Sequence, residues 1–201
     1  MKIYEINNES IEAFEKRLAS RSLTAVTEYE TRVAAILKDV NERGDEAVFD
    51  YTAKFDKWAV SKDNFKVSEA EIKDAYKQVS DRFVEIVRKA IANIESYHKK
   101  QLKNTWLDTK EDGSILGMKY TALESVGVYV PGGKAAYPSS VLMNVIPAKV
   151  AGVKRIVMTT PAGADGKVYA ATLVAAKEAG VTDIFKAGGA QAIAALAYGT
   201  E

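Results

Sequence analysis

The apolar positions along this chain change their period near its middle. Through the first hundred residues they recur at helical steps. Ser10 precedes the amphipathic run IEAFEKRLA, and EYETRVAAILKDVNER reads as a second helix, stopped by Gly44 at the usual C-terminal position. Asp45 is placed to cap DEAVFDYTAKFD, and Ser68 with Glu71 makes a capping box ahead of AEIKDAYKQV. The clearest helix is DRFVEIVRKAIANIESYHKKQL. There Phe83, Val87, Ile91, Ile94 and His98 fall at steps of three and four and share one face. This patterning predicts scaffold and carries no chemistry of its own.

Later the pattern alternates between short apolar runs and alanine-rich helices. SILGMKY, ESVGVYV, RIVMTT and DIFKAG read as strands. PSSVLMNVIPAKVAG reads as helix, with Pro138 before its start and Pro147 as a kink or stop. KVYAATLVAAKEAG, closed by Gly180, and GAQAIAALAYG complete the series. Alternation at this spacing implies right-handed βαβ units, and nearly continuous apolar strands fit a parallel sheet covered on both faces. The expected fold is α/β: a mainly helical region over residues 1–125, then a small three-layer unit over residues 126–201. Its parallel strands are expected near Val126–Val130, Arg155–Thr159 and Asp183–Lys186. A three-stranded parallel sheet is small, so the sequence reads as cut short at Glu201.

Composition sharpens this division. Residues 1–112 hold 42 charged side chains, one glycine and no proline, whereas residues 113–201 hold 13 charged side chains, 12 glycines and four prolines. The 201 residues carry a formal net charge of +1, so no global field draws the protein to nucleic acid or an anionic membrane. No stretch approaches the roughly 20 apolar residues that span a bilayer. With no cysteine there is no disulfide framework, thiolate metal site or cysteine nucleophile, and a reducing cytoplasm is the expected compartment.

The candidate chemistry lies in the glycine-rich turns. Gly127 and Gly132 have the spacing of a phosphate-binding loop, but Gly133 stands where that loop needs lysine, and no G-x-G-x-x-G is present. Gly188-Gly189-Ala190-Gln191 sits where a strand ends and the last helix begins, the edge at which open α/β sheets bind ligands. Gln191 either meets a ligand there or is a solvent-exposed polar residue near a cap. Tyr129 either offers its ring to a flat heterocycle or packs in a core. Ser139 and Ser140 lack a nucleophile elbow and read as helix caps. His98, the one histidine, reads as structural, and a single histidine without cysteine makes no self-contained transition-metal site. The residues by themselves reach a ligand-binding α/β module with a helical extension.

From Gly127 onward the wording becomes specific. GVYVPGGKAAYPSSVLMNVIPAKVAGVKRIVMTTP, followed by AKEAGVTDIFKAGGAQAIAALAYGTE, resembles histidinol dehydrogenase over about Val126 to Glu201. Family members are considerably longer, so the resemblance implies an N-terminal part of such an enzyme. It further implies an incomplete Rossmann-like NAD-binding unit at 126–201, and a zinc-dependent homodimer in the complete protein. That enzyme oxidises L-histidinol to L-histidine through histidinal, using two NAD molecules in succession. The tyrosine of the family's G-x-Y-V-P-G-G segment corresponds to Tyr129, and the glutamine of G-G-A-Q-A-I-A to Gln191; both are NAD-contacting positions. The family's zinc ligands and its glutamate–histidine acid–base pair have no matching positions here. The expectation is therefore a chain inactive by itself. The alternatives are a non-catalytic nucleotide-binding or assembly module, and a purely structural interaction domain.

Overall fold

Asn7 accepts a hydrogen bond from the Ser10 N–H at 2.8 Å, while the Ser10 hydroxyl accepts one from the Asn7 N–H at 2.9 Å. In the computed structural model, which describes residues 7–132 and 135–200, this reciprocal cap opens α1 (Asn8–Arg43). The helix runs unbroken for 36 residues. The two helices expected on either side of residues 20–27 are thus one, and Ser10 lies inside it rather than before it. Weak helix formers cost only tenths of a kcal/mol each, less than opening two further ends with four unpaired backbone groups apiece.

Gly44 ends α1 at a φ of 58°, its N–H bonded to the Val40 carbonyl at 2.9 Å. α2 (Asp45–Asp56) follows at once, so Asp45 is its first residue and Gly44, not Asp45, holds the cap position. Then come the short α3 (Lys62–Phe65), α4 (Glu69–Lys77) and α5 (Asp81–Lys99). The Ser68–Glu71 capping box is present as the spacing predicts. Val87 of α5 is buried, with Phe83, Ile91 and Ile94 packed beside it on the core.

SILGMKY does contain a strand, β2 (Ile115–Met118), but it pairs antiparallel with β1 (Trp106–Thr109), which the apolar pattern did not predict. The main sheet is β3 (Ser125–Tyr129), β4 (Arg155–Thr159) and β5 (Asp183–Phe185), parallel and in sequential order. Lys66 bridges antiparallel to Phe185, and the flanking bonds Val67 N–H to Ile184 O and Lys186 N–H to Phe65 O close the outer edge of β5.

α6 (Pro138–Val150) and α7 (Ala170–Ala179) pack together on one face of the sheet, with α5 and α4 against them. The core on that side joins Val128, Val130, Ile156, Met158 and Ile184 to Val141, Val145, Leu173 and Val174. α8 (Gly189–Tyr198) covers the opposite face beneath β3, backed by α1 and α2. A Cβ on Gly127 would lie 2.9 Å from Leu196 Cδ1, so the strand glycine lets α8 approach. Pro147 neither ends α6 nor replaces its cap: the helix continues to Val150. Tyr137 holds the cap position, so Ser139 and Ser140 lie in the first turn and cap nothing.

Candidate cofactor site at the carboxyl end of the sheet

Three loops leave the carboxyl ends of β3, β4 and β5 and meet at Pro161. A Cβ on Gly132 would stand 3.0 Å from the Pro161 carbonyl oxygen, and one on Gly188 would stand 2.8 Å from Pro161 Cβ. Larger residues at either glycine would push the loops apart. Gly133 and Lys134, the positions that decide the phosphate-loop comparison, lie outside the described residues.

Gly189 has a φ of 67°, a left-handed conformation that favours glycine. It turns the chain from β5 into α8 and puts Gln191 in the helix's first turn. Gln191 is 1% exposed, so the solvent-exposed reading of this residue is overturned. Its amide folds back over the turn: a Cβ on Gly189 would be 2.7 Å from Gln191 Oε1. Both Oε1 and Nε2 are buried without a hydrogen-bond partner among the described residues. A buried polar group left unpaired costs about 1–3 kcal/mol, so an amide with both ends unpaired is expensive unless something completes it.

Tyr129 ends β3 opposite Thr159 of β4 and is half-buried. Its ring packs against the apolar cluster of Val40, Val48, Ala192 and Ala194. Tyr129 and Gln191 therefore lie on the α8 side of the same sheet end. Thr159 on that side is buried with its hydroxyl unpaired.

The helical region reaches this end of the sheet as well, through a contact that no sequence signal singles out. Lys186, 5% exposed, directs its ammonium at Glu71 Oε1, 2.5 Å away, and over the Trp58 ring at 5.7 Å. Burial pushes the Glu71 carboxyl up, but the Lys186 ammonium and the Ser68 backbone N–H hold it below its ordinary range. These side chains border an open 440 Å³ cleft that Asp165, Gly166 and Lys167 also line. Burial raises the Asp56 carboxyl, against the opposing pull of the Gly188 N–H.

Metal chemistry finds no counterpart here. Among the described residues no three His, Asp or Glu side chains group as metal ligands. His98 is half-buried, its Nδ1 is 2.6 Å from Gln101 Oε1, and its ring meets Tyr97 edge-on. The described residues do not fit a zinc ion.

The sequence profile of the histidinol dehydrogenase family matches residues 19–201. Histidinol dehydrogenase of Geobacillus kaustophilus is 57% identical over 182 residues, covering 90% of this chain and 42% of that protein. The Bacillus subtilis histidinol dehydrogenase is 53% identical over 193 residues, covering 96% and 45%. The crystal structure of histidinol dehydrogenase from Elizabethkingia anophelis superposes with a TM-score of 0.79 at 37% identity, covering 86% of this chain and 39% of that one. The chain thus spans less than half the length of these relatives.

Proposed function

This chain belongs to the histidinol dehydrogenase family, and on that footing we propose that it carries the NAD-binding part of an enzyme oxidising L-histidinol to L-histidine through histidinal. The observation that supports this most is the Gln191 amide, buried with both ends unpaired where parallel sheets take their ligands. A dinucleotide offers both donors and acceptors to such an amide.

In this reading Gln191 orients the cofactor by donating and accepting at once. Tyr129 supplies an aromatic wall with a hydroxyl at its rim. Gly132 and Gly188, closed on Pro161, keep the loops near enough to bring backbone to the ligand. NAD, when bound, accepts hydride from the substrate carbon. The complete enzyme is read as a zinc-dependent cytoplasmic homodimer using two NAD molecules in turn, with metal ligands and acid–base residues outside these 201. The chain itself then binds cofactor weakly and turns over nothing.

Titration of the chain with NAD tests the cofactor site. NAD binding lost in Gln191→Leu supports the cofactor site. The absence of binding at millimolar NAD contradicts it.

A further inference from the structure

The last residue of α2 is a carboxylate that its own helix does not account for. Asp56 stands at a helix C-terminus, where the backbone dipole disfavours negative charge. Lys57, which follows it, has a φ of 59° and is the one non-glycine residue with positive φ among the described residues. That left-handed backbone is disfavoured wherever a Cβ is present. Asp56 is also half-buried, and its Oδ2 is buried without a hydrogen-bond partner among the described residues. Each feature costs stability, so the compensating contact lies outside α2.

It lies on the loop between β5 and α8. The Gly188 N–H donates to the Asp56 carboxylate and pulls against the effect of its burial. Gly188 holds the cap position of α8 and has no side chain with which to cap it. The acid that a helix start favours therefore comes from α2. Two residues earlier, Lys186 is held by Glu71 and the Trp58 ring, and its N–H donates to the Phe65 carbonyl at 2.9 Å. The helical region thus grips the loop on both sides of Ala187. Gly189 comes next, at its φ of 67°, with the Gln191 amide folded directly over it. A displaced Gly188 displaces Gln191.

We infer that Asp56 is a positioning residue for the cofactor site: it holds the Gly188 N–H, and through Gly188 and Gly189 it keeps the Gln191 amide where a dinucleotide meets it. This inference rests on the NAD reading above and adds to it a residue of the helical region that acts without touching the ligand.

Titration with NAD tests it, comparing the parent chain with Asp56→Ala, Asp56→Asn and Val87→Ala, each alongside its thermal midpoint. Asp56→Ala removes the acceptor, so affinity should fall about tenfold, the scale of a hydrogen bond to a charged group. Asp56→Asn keeps an oxygen for the Gly188 N–H and should stay within about twofold of the parent. Val87→Ala opens the core on the α6–α7 side of the sheet, so it should lower the midpoint and leave NAD affinity unchanged. Asp56→Ala binding like the parent, or Asp56→Asn binding as poorly as Asp56→Ala, overturns the role of Asp56 and leaves the NAD site standing. An equal loss in Val87→Ala reduces the effect to stability and also overturns that role. A parent chain that binds no NAD at millimolar concentration overturns both readings. Should Asp56→Ala fail to fold, carbon-detected NMR of the parent decides. Deuteration of the Gly188 amide should shift the Asp56 carboxyl carbon with and without NAD, and an unshifted carbon overturns the inference.

Discussion

The amide of Gln191 lies folded over Gly189, so close that a Cβ on the glycine would sit 2.7 Å from Gln191 Oε1. Glycine at 189 is therefore required twice, once by its φ of 67° and once by the side chain above it. Gly189→Ala should cost about 1–2 kcal/mol from the left-handed backbone alone, with more from displacing the amide. Its thermal midpoint should fall below that of a control substitution at the exposed Ala53, measured by calorimetry.

Gln191→Leu should separate stability from function. It removes two unpaired buried polar atoms, so the thermal midpoint should hold or rise while NAD affinity is lost. In the longer enzyme, Tyr129→Ala and Gln191→Ala should each raise the apparent NAD constant. Parent NAD kinetics in both variants would show that neither residue meets the cofactor.

Tyr76 donates to Glu178 at 2.7 Å, and Arg88 holds both oxygens of that carboxylate at 2.8 and 2.9 Å. Burial and the Glu178 charge push the Tyr76 hydroxyl up to about 12. The folded protein thus retains a proton that the unfolded chain loses near pH 10. This stabilisation is fully present below about pH 10 and disappears as pH rises toward 12. At the acid end, the Arg88 guanidinium holds Glu178 below its ordinary range, so that contribution is present above about pH 4.3 and lost as pH falls through the lower folded value. Denaturant midpoints against pH should show both limbs, and Tyr76→Phe should flatten the alkaline one.

The chain supplied with zinc, NAD and histidinol should accumulate no NADH over hours. His98 is engaged with Gln101, and no three candidate ligands group among the described residues. Steady turnover that scales with protein and disappears with chelator would contradict this.

What the sequence revealed, it revealed through local rules. The Ser68–Glu71 box, the apolar stripe of α5, the αL cap at Gly180 and the three parallel strands all follow from neighbours within a few residues. β1 escaped because four exposed residues carry no buried face to alternate; the Asp112-Gly113 pair between the strands was the available signal for a hairpin. The continuity of α1 is not legible from the two amphipathic runs on either side of residues 20–27. Position alone makes Tyr129 and Gln191 candidates and the family wording ties them to NAD, but the burial of Gln191 and the reach of Lys186 to Glu71 depend on contacts distant in sequence. Glu71 and Lys186 are more than a hundred residues apart, and no period or spacing links them.

The most direct test of a cofactor site at this sheet end is residue-resolved amide NMR of the chain titrated with NAD. Saturable shifts are expected at Tyr129–Gly132, Thr160–Ala162 and Ala187–Gln191, weak in affinity and absent in Gln191→Leu. Shifts confined to other surfaces, or a spectrum unchanged at millimolar NAD, would contradict it.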